Sequence, residues 1–479
     1  MVDLFSSLEL AKKSLLTHQF VFHVIGHNIA NVNTPEYSRQ RVELGVVRPL
    51  KLGFRSVGVG VDVIKVHGIR DKYLEYQIQK ELQTKGKASS LGGAFKIIEA
   101  VFQEQTDTGI SKIMENFFNS WNDLANNPTG MPERTTVLNN AKVLADKIRE
   151  SYRRLREQQA VQNNDVALMI EDINQLGDEI ATLNQQITEG EVGGAEMNDL
   201  RDRRNKLLQD LGEKVGINVY ENEMGQVTVE IGGRPFVVGN QANHLQVQKD
   251  ASNYNYYDVY INEADHLVDI TYQINGGELN GLIEMRDTYI PEYIKRLDNL
   301  AYGLITNVNN LHSTGFDLNG NTGVNFFTPF TPVAPGDYTG AAAHIEVNPA
   351  IANDPEAIAA SSALGEVGNN EIALAIADLE RAYNTVDSDN DGTFDYGTFH
   401  DYYHQLVTLV GAQAKDAYTR EAAQEEVLLS LKDRRSEVSS VSLDEESATL
   451  IQFEKAYQVM ARFMGVVDKM ADIMVNLGR

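Results

Sequence analysis

Leu8, Leu15, Phe22 and Ile29 recur at every seventh position, and Leu4, Ala11, His18 and Ile25 form a second ladder of the same period beside them. Two such ladders on one helix make a coiled-coil seam, which is stable only when another helix covers it. The pattern returns at the other end of the chain. Leu450, Phe453, Tyr457, Met460, Met464, Val467, Ala471 and Met474 alternate spacings of three and four, flanked by Ala456, Phe463, Met470 and Leu477. The two ends of a 479-residue chain are therefore expected to meet as a helical bundle, with everything between them an excursion that leaves the bundle and returns to it. Ser442 followed by Glu445 is a capping-box pattern that puts the start of the last helix near 443. The apolar face of that helix is wider than a two-helix seam requires. Full burial of one large apolar side chain contributes roughly 1.5–3 kcal/mol, and isolated helices owe most of their stability to packing. The surplus face calls for neighbouring chains.

Within the excursion, Leu91, Phe95, Ile98 and Phe102 share one helical face, and after a break from Thr106 to Gly109 so do Ile113, Phe117, Trp121 and Leu124. A third pattern runs through Met169, Ile173, Leu176, Ile180, Leu183 and Ile187 and stops at Gly190 and Gly193-Gly194. A fourth joins Ile290, Ile294, Leu297, Ala301, Leu304, Val308 and Leu311, with Pro291 near its start, where a missing amide costs little. Between 213 and 275 the period falls to two, in Ile217 and Val219, then Val227, Val229 and Ile231, then Tyr257, Val259 and Ile261. Asn319 to Thr339, rich in Gly, Pro, Thr and Asn, reads as an irregular loop. The expected fold is mainly α with a small inserted β domain. Residues 1–75 with 438–479 form the terminal bundle, 76–212 with 276–437 an elongated helical stalk, and 213–275 an outer β-rich domain.

Forty-two Lys and Arg against 68 Asp and Glu leave a net charge of −26, which repels nucleic-acid phosphates and anionic membranes. The absence of cysteine excludes disulfide scaffolds, thiolate zinc sites and cysteine nucleophiles. Met-Val-Asp-Leu-Phe-Ser-Ser-Leu lacks the basic, apolar and small-residue regions of a cleavable signal. No run approaches the ~18 apolar residues of a membrane span.

Candidate chemistry is sparse. Asp387, Asp389 and Asp391, then Gly392 and Asp395, match the first part of a calcium loop, but the twelfth position is Thr398 where a bidentate Glu is expected. An Asp-rich loop ahead of a helix capped by Thr398 explains the same residues. His400 with His404, and His23 with His27, stand one helical turn apart without a third ligand or an HExxH glutamate. Gly58-Val-Gly60-Val61 lacks the third glycine of a dinucleotide loop and reads as a strand. Glu445 and Glu446 suit the positive end of the last helix. No nucleophile motif or apolar carboxylate pair supports catalysis, so no enzyme activity, cofactor or resident metal is expected.

Asn28-Ile-Ala30-Asn31-Val-Asn33-Thr34-Pro35-Glu36-Tyr37-Ser38-Arg39-Gln40 closely resembles the signature of bacterial flagellar rod, hook and hook-associated axial proteins, with Glu36 where that family usually has Gly. Gly58-Val-Gly60-Val-Asp-Val followed by Arg70-Asp-Lys-Tyr-Leu74 is similar to the strand and helix that come next in the family. Phe117 to Leu124 and Pro128, Asn198 to Arg203, Leu297 to Ala301 with Val308-Asn309, His312 to Gly315 with Asp317 and Gly320, and Asp444 to Glu446 with Leu450, Ala456-Tyr-Gln458 and Ala461-Arg462 resemble its hook-associated members. The resemblance implies a structural subunit exported unfolded through the flagellar type III pathway, without signal cleavage. It implies a ring of copies at the junction of hook and filament, outside the cell. The implied partners are the chain itself, the hook protein, a second junction protein, and a cytoplasmic chaperone on the C-terminal helix. The self-assembly residues are then Leu8, Leu15, Phe22, Ile25, Ile29, Leu450, Phe453, Tyr457, Met460, Phe463, Met464, Val467 and Met474. A competing reading makes the chain a secreted adhesin whose helices present the β domain, and a third makes it a cell-wall hydrolase. The paired terminal heptads weigh against the first, and the lack of paired acids or metal ligands in 213–275 against the second.

Overall fold

The computed structural model describes residues 2–52, 55–102, 108–222, 224–263 and 266–477. Helix α1 (Val2–Ala30) hands over through a turn to a long antiparallel ribbon of β1 (Gln40–Val46), β2 (Leu50–Leu52), β3 (Arg55–Val57) and β4 (Val61–Gly68). β1 pairs with β4, from Gln40 opposite Gly68 to Val46 opposite Val61, and β2 pairs with β3. Gly58 to Gly60, expected as strand, lie outside it. Gly60 has φ +97°, a conformation that glycine adopts freely, and β4 begins one residue later.

Helices α2 (Lys72–Phe102), α3 (Ile110–Asn126), α4 (Met131–Glu191) and α5 (Asn198–Lys214) follow. Thr106 and Asp107, part of the expected break, lie outside the described residues. The pattern from Met169 to Ile187 is the distal part of α4, whose 61 residues span about 90 Å. Its proximal part escapes a heptad reading because its inward residues include Arg134, Ser151 and Gln158 as well as Val137, Ala141, Leu144 and Ile148.

The inserted strands are β5 (Ile217–Glu221), β6 (Val227–Ile231), β7 (Arg234–Val238), β8 (Gln241–Ala242), β9 (Leu245–Asp250), β10 (Tyr256–Glu263) and β11 (His266–Asp269). They form two antiparallel sheets, β5-β6-β7-β8 and β11-β10-β9. The strands do not enclose a separate core. Val229, Ile231, Phe236, Val259 and Ile261 share one buried cluster with Ile170, Ile173 and Ile180 of α4 and with Leu208 and Leu211 of α5. The boundaries expected at 212/213 and 275/276 therefore cut through a single apolar core, because each small sheet is one-sided and needs helices to cover its inner face.

Helix α6 (Gly277–Glu284) runs through a π-turn at Met285–Tyr289 into α7 (Ile290–His312). Pro291 thus sits inside a continuous helical path rather than at its start. The π-turn, with Ile290 N–H bonded to Met285 O, accommodates the proline ring that would otherwise clash with the preceding turn. The same turn aims Arg286, fully buried, at the middle of α4. Arg286 forks onto Asp287 at 2.7 Å through two nitrogens and donates to Asn163 Oδ1 at 3.0 Å and Tyr257 O at 2.7 Å. Gln159 closes this polar seam by donating to Arg286 O at 2.8 Å. On the other side lies a second, larger apolar core of α2, α3, proximal α4 and α7.

Short helices α8 (Ala341–His344), α9 (Pro349–Asn353) and α10 (Glu371–Asp378) lead into α11 (Phe399–Ser439) and α12 (Leu443–Leu477). α11 lies along α2, with Leu428 packed on Leu74, Ile78 and Leu82. Residues 319–339 have no regular element, as expected, yet they feed the larger core. Phe326 stacks edge-on against Trp121 at 5.2 Å, and the Asn309 side chain bonds both the N–H and the C=O of Phe327, at 2.8 and 3.0 Å.

His312 completes that nest. It is 1% exposed, its Nδ1 bonds Val324 O at 2.7 Å, and its Nε2 accepts from Ala359 N at 2.8 Å, so it must be neutral. Burial pushes its pKa down to about 4. The unfolded chain takes up a proton near 6.5 that the folded chain refuses until about 4, so folding weakens as pH falls through that window and no further below it. Between pH 7 and pH 4, denaturant titrations should show the protein losing roughly 3 kcal/mol relative to a His312→Gln variant. A gap that does not change with pH would contradict this.

Candidate functional site at the paired termini

α1 and α12 pair antiparallel: Asn28 meets Glu446 at one end, while His18 stacks on Phe453 and Phe22 on Tyr457 farther along, with centroids 5.6 and 6.0 Å apart. The seam falls where the heptads put it. Leu8, Leu15, Phe22, Ile29, Leu450, Phe453, Tyr457, Met460 and Met464 are half-buried, and Ile25 and Val467 are buried. Phe463 and Met474 are exposed, because they project to another side of α12. With Val459, Val466, Met470 and Ile473 they form an apolar stripe that is left exposed among the described residues.

Phe5, Leu16 and Phe20 of α1 stay exposed, but a second face of the helix is covered, which the heptads did not reveal. The ribbon lies against it: Thr17 donates to Val61 O at 3.1 Å, Lys13 pairs with Asp62 at 2.8 Å, and Ala11, Val21 and Val24 are buried. No periodic signal marks this contact, since it is made by the edge of a two-stranded ribbon.

Below the seam, Asn28 uses every hydrogen-bonding position of its carboxamide. Its Oδ1 accepts from Gln40 N and from the Tyr37 hydroxyl, both at 2.9 Å, and its Nδ2 donates to Gln40 O at 2.9 Å and Glu446 Oε2 at 3.3 Å. One side chain thereby joins α1, the ribbon and α12. Asn31 donates back to His27 O at 3.0 Å and accepts from Thr34 at 3.1 Å, turning the chain through the exposed Ala30, Asn33, Thr34 and Pro35. Ser38 is fully buried. Its N–H and hydroxyl both donate to Asp202 on α5, at 3.0 and 2.7 Å, and Arg70 bonds Asp202 at 2.6 Å and Ser38 Oγ at 3.1 Å. Burial lifts the Asp202 carboxyl above its usual range, while Arg70 and the Ser38 bonds hold it down. Burial, and then the charges of Asp199, Asp202 and Glu446, push the Tyr37 phenol well above its usual range, so it remains a donor.

Two charged groups at this junction, Glu445 and Glu446, were legible only as helix-end residues, and a third, Arg435, carried no sequence signal. Glu446 is buried against Asn28, and Glu445 pairs with Arg39, whose N–H donates to Ser439 O at 2.8 Å. Ser442 caps α12 by accepting from Glu445 N at 3.4 Å. Arg435, near the end of α11, pairs with Glu75 at 2.6 Å and with Glu36. Glu36 occupies the left-handed region at φ +64°, which costs a residue with a Cβ roughly 1–2 kcal/mol.

The other candidates, His27 apart, lie away from this junction. Ligand oxygens of Asp387, Asp389 and Asp395 lie within 4.8 Å of one another, a grouping found once among the described residues, but Asp391 is turned away to Thr393 N at 2.7 Å. Asp387 is already engaged by Asn390 N at 2.7 Å, Gly392 N at 2.8 Å and the Tyr338 hydroxyl at 2.5 Å. Thr398 caps α11 in a reciprocal box with Asp401. His400 and His404 stack at 6.1 Å and share Ser111 Oγ, and burial lowers the pKa of His400. His23 is exposed, whereas His27 faces Tyr37 at 3.0 Å and Asp199 at 3.5 Å, so that pair does not converge. Among the described residues no helix is long and apolar enough to cross a membrane.

Comparison with known proteins connects this junction to one family. Residues 95–327 match the model of the flagellar hook-associated protein FlgK helical domain, and 433–477 match that of the flagellar basal body rod FlgEFG protein C-terminal region. The chain is 28% identical over 514 residues to flagellar hook-associated protein 1 of Bacillus subtilis, covering 99% of each. It is 23% identical over 547 residues to that of Salmonella typhimurium, covering 98% of this chain and 99% of the relative. The flagellar hook junction protein FlgK from Burkholderia pseudomallei superposes with a TM-score of 0.66 at 16% identity, over 76% of this chain and all of that one.

Replacing Asn28 by Asp keeps its shape but turns two donors into acceptors facing Gln40 O and the Glu446 carboxylate. The junction should lose about 2–3 kcal/mol. Hydrogen exchange should speed up at 28–40 and 443–457 while α3 and α7 keep their protection; equal protection at the junction in both proteins would refute the assignment.

Proposed function

The chain belongs to the flagellar hook-associated protein 1 family of axial proteins, and from that premise we propose that it is a structural subunit of the junction between hook and filament, assembled through its paired termini. The observation that carries the assembly reading is the bare stripe of Val459, Phe463, Val466, Met470 and Ile473 on the side of α12 turned away from α1. A contiguous apolar face left open among the described residues marks a contact surface, and a heterologous contact repeated around an axis forms a ring where the rotation closes and a helix where it does not. The partners are then further copies of the chain, the hook protein on one side and a second junction protein on the other. The same stripe is a hazard before assembly, which is the reason for a cytoplasmic chaperone on α12. Unfolded export suits a chain with no cysteine to cross-link.

In this reading 1–75 with 438–479 form the inner tube, the helices form a middle layer and the sheets face outward. The chain acts by packing, with no catalytic step.

Phe453→Asp or Met464→Asp places a charge in the seam and should leave the α3–α7 core folded while abolishing the junction. Phe463→Asp, on the open stripe, should leave even the α1–α12 pair intact and still block ring formation on preformed hooks. Filaments built at normal number by any of the three would sink the proposal.

A further inference from the structure

The pair α1–α12 is joined to the rest of the chain by the connection 31–39, the three residues 440–442, and the ribbon's return to α2. On one side, Ser38 is clamped by Asp202 and Arg70. On the other, Arg435 reaches across from α11 to Glu75 on α2, to the Glu36 carboxylate, and to Glu36 O at 3.1 Å. Between the turn and α11 there is otherwise a cleft of about 220 Å³, lined by Asn31, Pro35, Ser436 and Ser440. The α5 side also holds Gln40 through Asp199 at 2.7 Å and the Gly68 N–H through Asn198 at 2.9 Å, so the Glu36 contact is what adds a side-chain hold from α11 on the opposite side of the turn.

The backbone at Glu36 adds a second observation. Its φ of +64° is one that glycine takes freely, so the turn by itself would be better served by Gly. A strained residue persists where the surroundings over-determine it, and such positions gather at functional sites. What Glu adds over Gly is the carboxylate that Arg435 holds.

We infer that Glu36 is a positioning residue for assembly: through Arg435 it sets the angle at which the paired terminal helices leave the stalk. The relevance to assembly rests on the function proposed above, whereas the angle itself is a property of the free chain.

Because the chain has no cysteine, Asn164→Cys on α4 and Lys455→Cys on α12 can carry a pair of spin labels in the full-length protein. Pulsed electron resonance should give one dominant distance. Glu36→Gly, which relieves the strained turn, should raise the population outside that distance about tenfold. Arg435→Gln should do so at least as strongly. Ring formation on hooks is scored separately, so a failure to dock counts against the junction role and a failure to widen counts against Glu36. A distribution that Glu36→Gly leaves unchanged or narrows, as a purely turn-forming role requires, overturns the inference, as does a wild type already as broad as the variant.

Discussion

The four hydrogen bonds of the Asn28 carboxamide are the point on which the architecture depends. They hold the end of α1 to the start of the ribbon and to Glu446 near the start of α12, segments separated by more than four hundred residues in the chain. Hydrogen bonds exchanged with water contribute little net stability, but a buried group deprived of its partner is costly. A fully satisfied amide therefore acts mainly by excluding every other arrangement of the three segments. Through Tyr37 and Ser38 the same network reaches Asp202 and Arg70, and so the stalk. With Arg435 holding Glu36 on the other side of the turn, the terminal pair is tied to the stalk from two directions.

Above the junction the molecule is organised by one helix. α4 runs from the larger apolar core into the smaller one, and the seam of Gln159, Asn163 and Arg286 marks the crossing. A buried arginine forked onto a neighbouring carboxylate gains specificity more than stability, since removing either partner would strand the other. The two cores can differ in content while their spacing along α4 stays constant.

One of the two family matches falls on the part of the molecule that the physical reading singles out. The model matching 433–477 covers the end of α11 and all of α12, including Arg435, Glu445, Glu446, half the seam and the open stripe. The acidic loop at Asp387, which most resembled a ligand site in sequence, also fastens residues 387–395 to α7 and Tyr338 through hydrogen bonds.

The heptads at both ends, the capped start of α12, the axial-protein signature, and the strands around Val229 and Val259 could all be read from spacing, because each expresses a local period or turn. That was enough for the fold class and for the nine half-buried and two buried residues of the seam. Periodicity could not say which apolar residues stay open: of the expected self-assembly residues, Phe463 and Met474 lie on the exposed side of α12 rather than in the seam. Nor could it find the ribbon against α1, the sharing of one core between α4 and the sheets, or the meeting of Glu36 with Arg435. Those contacts join residues tens to hundreds of positions apart, through apolar faces whose period does not name a partner and polar groups that carry no period, and only the folded chain decides which of them meet.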